Sequence, residues 1–178
     1  LKHILAFWDL GNELFKSTPE TFPVPFIEGD IFDLAILKPI PPRNDPSKTP
    51  IPSLASLTSL NPLRGHVSVI HASSFFHLFD EERQRQLAKA LAGLLSPEPG
   101  SIIFGSQVGS SVCELKQSSN GRMFCHSPES WKELWGGQVF VPDIFEVEAR
   151  LDPISRDDFA MRAVPSDIFI LAWSVTRV

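Results

Sequence analysis

His77 and His126 are the residues in this sequence best suited to moving a proton. An imidazole titrates near neutrality, and both sit in aromatic or capped surroundings: His77 follows Phe75-Phe76, and His126 lies between Cys125 and Ser127. Each can be read as a general base or as a packed, hydrogen-bonded histidine. Asp30, in Gly29-Asp30-Ile31-Phe32, offers different chemistry. A carboxylate there can accept a hydrogen bond from an exocyclic amine while Ile31 packs on an aromatic base. The other reading is that Asp30 caps a turn. The stretch His71-Ala72-Ser73-Ser74-Phe75-Phe76 leaves an apolar run as a small, polar turn ending in an aromatic pair, a composition suited to a ligand. Trp131 and Trp135 share one helix face, where core packing is the default and a substrate wall the alternative. The sequence holds no GxSxG elbow, HExxH, P-loop or paired CxxC, and Gly105-Ser106-Gln107-Val108-Gly109 is a weak signal.

These residues need elements to hold them. His66–His71 reads as a buried strand and Asp80 to about Leu95 as an amphipathic helix, with Asp80 as its cap. Leu87, Leu91, Leu94 and Leu95 mark its inner side, while Glu81, Glu82, Arg83 and Arg85 face water. After a Pro/Gly stop at 96–100, Ser101–Phe104 is a second strand, which completes a βαβ unit. Upstream, Ile4–Phe15 has helical apolar spacing with one buried face, and Phe26–Glu28 reads as a short strand. Ser127-Pro128-Glu129 is a compact helix start, and Gly136-Gly137 marks that helix's end. Phe145–Leu151 alternates like a strand with one wet face, and Ile168–Val178 is apolar enough for a sheet interior. The connection between them is long and charged. Residues 39–62 hold seven of the sixteen prolines and form a surface loop, with a short helix near Ser53–Leu60. The order of elements predicts an α/β fold, mostly parallel with an antiparallel ending. In open sheets of this kind, ligands lie beyond the carboxyl ends of the strands.

A length of 178 residues fits one domain spanning 1–178, and 43% apolar with 21% charged residues is ordinary for a globular chain. A net charge of −5 argues against nucleic-acid binding, since no basic stripe could neutralise phosphates. No apolar run reaches the roughly 18–20 residues of a membrane span. Cys113 and Cys125 lack zinc spacing, so no metal is expected. They read as two free thiols in a reducing compartment, which points to the cytoplasm.

Longer motifs carry a resemblance. Phe7-Trp8-Asp9-Leu10-Gly11-Asn12-Glu13-Leu14-Phe15 and Phe26-Ile27-Glu28-Gly29-Asp30-Ile31-Phe32-Asp33 are similar to fungal class I S-adenosylmethionine-dependent methyltransferases. The similarity continues through Ile70–Asp80, Leu94–Ser101, Phe124–Trp131 and Trp173–Val178, and so covers nearly the whole chain. Such enzymes serve polyketide and meroterpenoid pathways. The resemblance implies a Rossmann-like sheet with an antiparallel C-terminal strand, and S-adenosyl-L-methionine as cofactor. It implies methyl transfer to a small-molecule acceptor, with oxygen as the expected target. Asp30 and Ile31 would meet the adenine. His71, Ala72 and Ser73 would lie near the methionine and sulfonium, and Phe76, His77, His126 and Trp131 on the acceptor side. The family's first strand and glycine-rich turn would precede Leu1, and Lys2 and His3 stand about where an acid would grip the ribose. Two rivals follow: an inactive remnant of such an enzyme, and an interaction module using the proline-rich loop. An open sheet edge would favour self-association.

Overall fold

The computed structural model describes residues 2–46, 48–118, 121–140, 144–154 and 168–178. Three α-helices are present among them: α1 (Lys2–Phe15), α2 (Glu81–Leu94) and α3 (Pro128–Glu133). The strands are β1 (Val69–His71), β2 (Ile102–Gly109), β3 (Glu114–Ser118), β4 (Gly121–Cys125), β5 (Phe145–Pro153) and β6 (Phe169–Arg177). The main sheet has the order β1-β2-β6-β5. β1 and β2 are parallel, and β6 runs antiparallel to both β2 and β5. Strands β1, β2 and β5 therefore share one direction, and the last strand is inserted against them, as the class I resemblance implies.

Local sequence explains the central helix. Asp80 Oδ1 accepts from Arg83 N at 2.8 Å, which satisfies one of the open donors of the first turn of α2. Glu81 and Glu82 place negative charge at the positive end of the helix dipole. Leu87, Leu91 and Leu94 turn one side of the helix into the core, each stabilising the fold by about 2 kcal/mol through burial. They share a core with Ile103, Leu171, Trp173 and Val175 of the sheet, Trp131 of α3 and Trp135 just beyond it. Among the described residues the opposite sheet face is open: Val69 is 59% and Phe104 38% exposed, and Glu146, Glu148 and Arg150 of β5 face water. An α/β sheet usually has both faces covered.

Several sequence expectations change. Phe26–Glu28 is not a strand; it runs unpaired among the described residues, with Phe26 stacked on Trp8 at 4.8 Å. Apolar composition can extend a backbone, but a strand also needs a neighbour to bond. The apolar side of α1 is not buried, since Phe7, Leu10, Leu14 and Phe15 are all exposed. β1 starts at Val69 rather than His66, after an isolated bridge between Val67 and Leu95. β2 extends through Gly109, so the two glycines lie inside a strand rather than after one. The chain does not stop at Gly136-Gly137 but continues from α3 through a π-helical turn, Leu134–Val139. The β3–β4 hairpin was not anticipated, although Asn120-Gly121 is a strong hairpin signal in the sequence. Most of the charged connection between β5 and β6 lies outside the described residues.

The proline-rich segment is anchored at both ends. Leu37 is 1% exposed, the Ile40 carbonyl lies against Gly93 of α2, and Arg177 Nη1 donates to the Arg43 carbonyl at 3.0 Å. At the far end Asn61 acts as a clasp. Its Nδ2 donates to the carbonyls of Leu34 (3.0 Å) and Ala35 (2.9 Å), and its Oδ1 accepts from Lys38 N (2.8 Å) and Arg64. Pro39–Arg43 is therefore engaged within the chain. Only a short 3₁₀ turn, Leu54–Ser56, forms where a helix was expected. No helix among the described residues is long and apolar enough to cross a membrane.

Candidate functional site

The sheet's carboxyl end is organised around Ser73. Parallel pairing continues past β1, with Ala72 N donating to the Phe104 carbonyl (2.9 Å) and Ser74 N to the Ser106 carbonyl (2.7 Å). Ser73 Oγ accepts from Ser106 N at 3.1 Å and lies 2.8 Å from His71 Nε2. His71 is exposed and its ring lies 5.0 Å from that of Phe104, whereas Ala72 is buried beneath the turn. Gly105 makes this closeness feasible, because a Cβ there would overlap the Ala72 carbonyl. Ser74 then has φ 53°, a left-handed conformation that costs a non-glycine residue roughly 1–2 kcal/mol. Strain of this kind, held at a strand's carboxyl end, is a recognised mark of functional turns.

The Asp30 loop packs against the outgoing arm of that turn. Phe32 meets Phe79 edge-on at 4.8 Å, Phe79 meets Phe75 at 5.3 Å, and the Arg83 guanidinium lies 5.3 Å from the Phe32 ring. Asp30 Oδ1 accepts from Phe32 N at 3.0 Å, so the residue does cap a turn. Its second carboxylate oxygen makes no hydrogen bond among the described residues, and the side chain is exposed. Ile31 is half-buried against the core. Gln84 was invisible as a functional position in the sequence. It is fully buried, and its Nε2 donates to both the Phe79 and Phe124 carbonyls at 3.0 Å, which ties the turn after β1 to β4. A glutamine on an otherwise apolar helix side was the available signal.

The two candidate bases differ. His77 is half-buried in the turn Phe76–Leu78, its Nδ1 has no partner among the described residues, and burial holds its pKa below the ordinary value. His126 is 4% exposed, at the end of β4, with its carbonyl accepting from Ser110 N at 3.0 Å. Its Nδ1 lies 2.9 Å from Ser130 Oγ, within the reciprocal cap formed by Ser127 and Ser130 at the start of α3. No hydrogen bond joins His71, His77 and His126 among the described residues. Phe76 and Trp131 are core residues. Both have no exposed surface and pack edge-on at 5.0 Å, with Trp173 5.6 and 4.9 Å away. Core packing, the default reading of Trp131 and Trp135, is what these contacts show.

Burial lowers the His126 pKa from 6.5 to about 4. The unfolded chain therefore takes up its proton near pH 6.5, while the folded chain resists until about pH 4. Stability is complete above pH 6.5 and falls as the pH drops through this window, by on the order of 3 kcal/mol in total. His77 shifts in the same direction and adds to the slope. The expected result is a urea midpoint that drops between pH 7 and pH 5, with a visibly smaller drop for His126→Gln. An equal drop in the variant would assign the effect to other groups.

No family model matches the chain. It is similar to the O-methyltransferase phiE of a fungal species, with 34% identity over 73% of this chain and 37% of that protein. It is 28% identical to the methyltransferase adrK of Penicillium rubens, over 96% of this chain and 54% of that protein. The chain thus spans about half the length, or less, of these relatives. An S-adenosylmethionine-dependent methyltransferase from Mesorhizobium loti, covering 64% of this chain and 63% of its own, superposes with 15% identity and a TM-score of 0.32. That superposition is too loose to argue from.

Proposed function

We propose that this chain, a relative of the fungal methyltransferases, holds S-adenosyl-L-methionine across the carboxyl ends of β1 and β2 and presents it to a small-molecule acceptor, with transfer to oxygen. The observation that carries this reading is the Ser73 junction. Two adjacent parallel strands are locked together there by a side-chain hydroxyl, and the turn beyond them is strained at Ser74. The cofactor supplies an electrophilic methyl group on a sulfonium. His71 and Ser73 would border the methionine and sulfonium of the cofactor, and Ala72 would offer backbone. The free oxygen of Asp30 would accept from the adenine amine, with Ile31 against the ring. Displacement at a methyl group requires alignment above all, which a rigid junction serves better than a mobile loop would. His77 and His126 would sit on the acceptor side. His77, half-buried and with no partner for Nδ1 among the described residues, is the better base, because His126 is too weakly basic to take a proton at neutral pH. A cytoplasmic location belongs to the same reading.

The rival with structural support is the inactive remnant. One sheet face and the outer edge of β1 are open among the described residues, and such an edge invites pairing with a second copy. Calorimetric titration with S-adenosylhomocysteine separates the two readings. Methyl transfer expects saturable binding that Asp30→Ala weakens about tenfold, the worth of a lost charge-assisted hydrogen bond. A folded chain that gives no heat of binding would leave the remnant reading standing. Sedimentation of the same samples at several concentrations would report self-association through β1.

A further inference from the structure

Gln84 is the polar side chain that α2 buries, and it has no exposed surface. Its Nε2 donates to the main-chain carbonyls of Phe79 and Phe124, each at 3.0 Å. These acceptors lie 5 and 40 residues away in sequence, on separate elements. They fix which way the amide points, since the reverse orientation would set Oε1 against two carbonyl oxygens. Oε1 itself has no partner among the described residues, a cost that methionine or leucine in the same space would avoid. What the glutamine adds is the link between the two carbonyls. It is firmly held for this, near the start of a helix capped by Asp80, with its own N–H on the Asp80 carbonyl at 2.9 Å.

The two linked residues belong to opposite sides of the proposed site. Phe79 closes the turn Phe76–Leu78, which carries His77, and meets Phe32 of the Asp30 loop edge-on at 4.8 Å. The Phe124 ring lies 5.0 Å from that of His126, just past β4. From the Asp30 loop to His126 the path crosses two ring contacts and two hydrogen bonds, with the Gln84 amide at its middle. Packed rings and hydrogen bonds between rigid elements are a physical carrier of coupling between sites. We propose that Gln84 is a positioning residue for methyl transfer, whose amide holds the Asp30 loop and the His77 turn in fixed relation to the His126 end of β4. This role rests on the methyl-transfer reading and adds to it a residue that touches neither cofactor nor acceptor. In-line displacement is sensitive to small misplacements, so a broken link costs alignment rather than cofactor affinity.

Gln84→Met keeps the length and volume of the side chain and removes both donors. The full chain with isotope-labelled histidine, as wild type and as this variant, is titrated with S-adenosylhomocysteine by calorimetry and by NMR of the imidazoles. In the wild type the His126 resonances should shift saturably, although the ligand sits at the Asp30 loop. In Gln84→Met the affinity should stay within about threefold, while the His126 shift at saturation falls at least roughly fivefold. Phe32→Leu, which weakens the same path at its half-buried end, should act alike, and it keeps the test decisive if the methionine variant does not fold. A merely structural role would lower the urea midpoint and leave the His126 shift unchanged, which would overturn the proposal. So would a wild type that binds the ligand without any response at His126. Amide hydrogen exchange of the ligand-free chain reads the link alone: Gln84→Met should speed exchange at 76–79 and 124–126 together, by about tenfold. Faster exchange in one segment only would overturn the link. A wild type that gives no heat of binding would remove the methyl-transfer reading, and the alignment role with it, while exchange still reports the link.

Discussion

Trp131→Ala should lower the unfolding free energy by about 4 kcal/mol, read as a fall in the urea midpoint, because truncating a buried tryptophan leaves a cavity that its neighbours cannot fill. Those neighbours are rigid rings: Phe76, Trp135, Trp173 and His126 all lie within 6 Å of it. Against the 5–15 kcal/mol typical of a domain, such a loss is a large share of the whole. Trp131→Phe should cost roughly half as much, since it keeps most of the aromatic volume and also removes an indole N–H that has no partner among the described residues. The pair of variants separates the two roles an exposed-or-buried tryptophan could play. A side chain lining a substrate surface would cost little stability when removed, so a midpoint unchanged in Trp131→Ala would return it to that role.

Gly105→Ala should be nearly as damaging, by about 3 kcal/mol, although it adds a single methyl group. The added Cβ would overlap the Ala72 carbonyl oxygen and lie 2.7 Å from the carbonyl carbon, with Trp173 Cζ2 at 3.2 Å. The obstacle is backbone, which cannot rotate away, so β1 and β2 must separate at their carboxyl ends. That movement would loosen the Ala72–Phe104 hydrogen bond and the Ser106–Ser73 bridge together. Binding of S-adenosylhomocysteine should therefore be lost along with stability. Gly136→Ala is the control, because a Cβ there meets nothing within 4 Å. If both glycines tolerate alanine equally, the strands are less tightly opposed than their geometry indicates.

Gly105 also shows what the sequence could and could not reveal. Two glycines near a strand end looked like a weak loop signal, because the need for glycine came from Ala72, thirty-three residues away. Periodicity disclosed α2 and the alternation of β5 well, since both depend on which side of a single element meets the core. Caps were equally legible: Asp80 and Ser127 each accept from the backbone N–H three residues ahead. Pairing was less legible. Among the described residues, Phe26–Glu28 had a strand's composition without a partner, and α1 had a buried helix's spacing while Phe7, Leu10, Leu14 and Phe15 stay exposed. Core packing, the default reading of Trp131, was legible, but the partner that Phe76 and Trp131 share there, Trp173, arrives on the last strand. The roles of Gln84 and Asn61 lie in hydrogen bonds to carbonyls distant in sequence, and residue type alone does not announce those.

The aromatic cluster has an optical consequence. The chain has no tyrosine and four tryptophans, so its near-ultraviolet absorption and emission come almost wholly from indole. Trp131, Trp135 and Trp173 lie with ring centroids 4.9–5.9 Å apart, close enough for their transitions to couple. Trp8 stands apart on α1, stacked on Phe26. The near-ultraviolet circular dichroism is thus a direct gauge of the sheet-to-α3 packing, and a quencher in solvent reaches Trp8 first. One spectrum therefore reports the core while another reports the N-terminal helix, with no label attached.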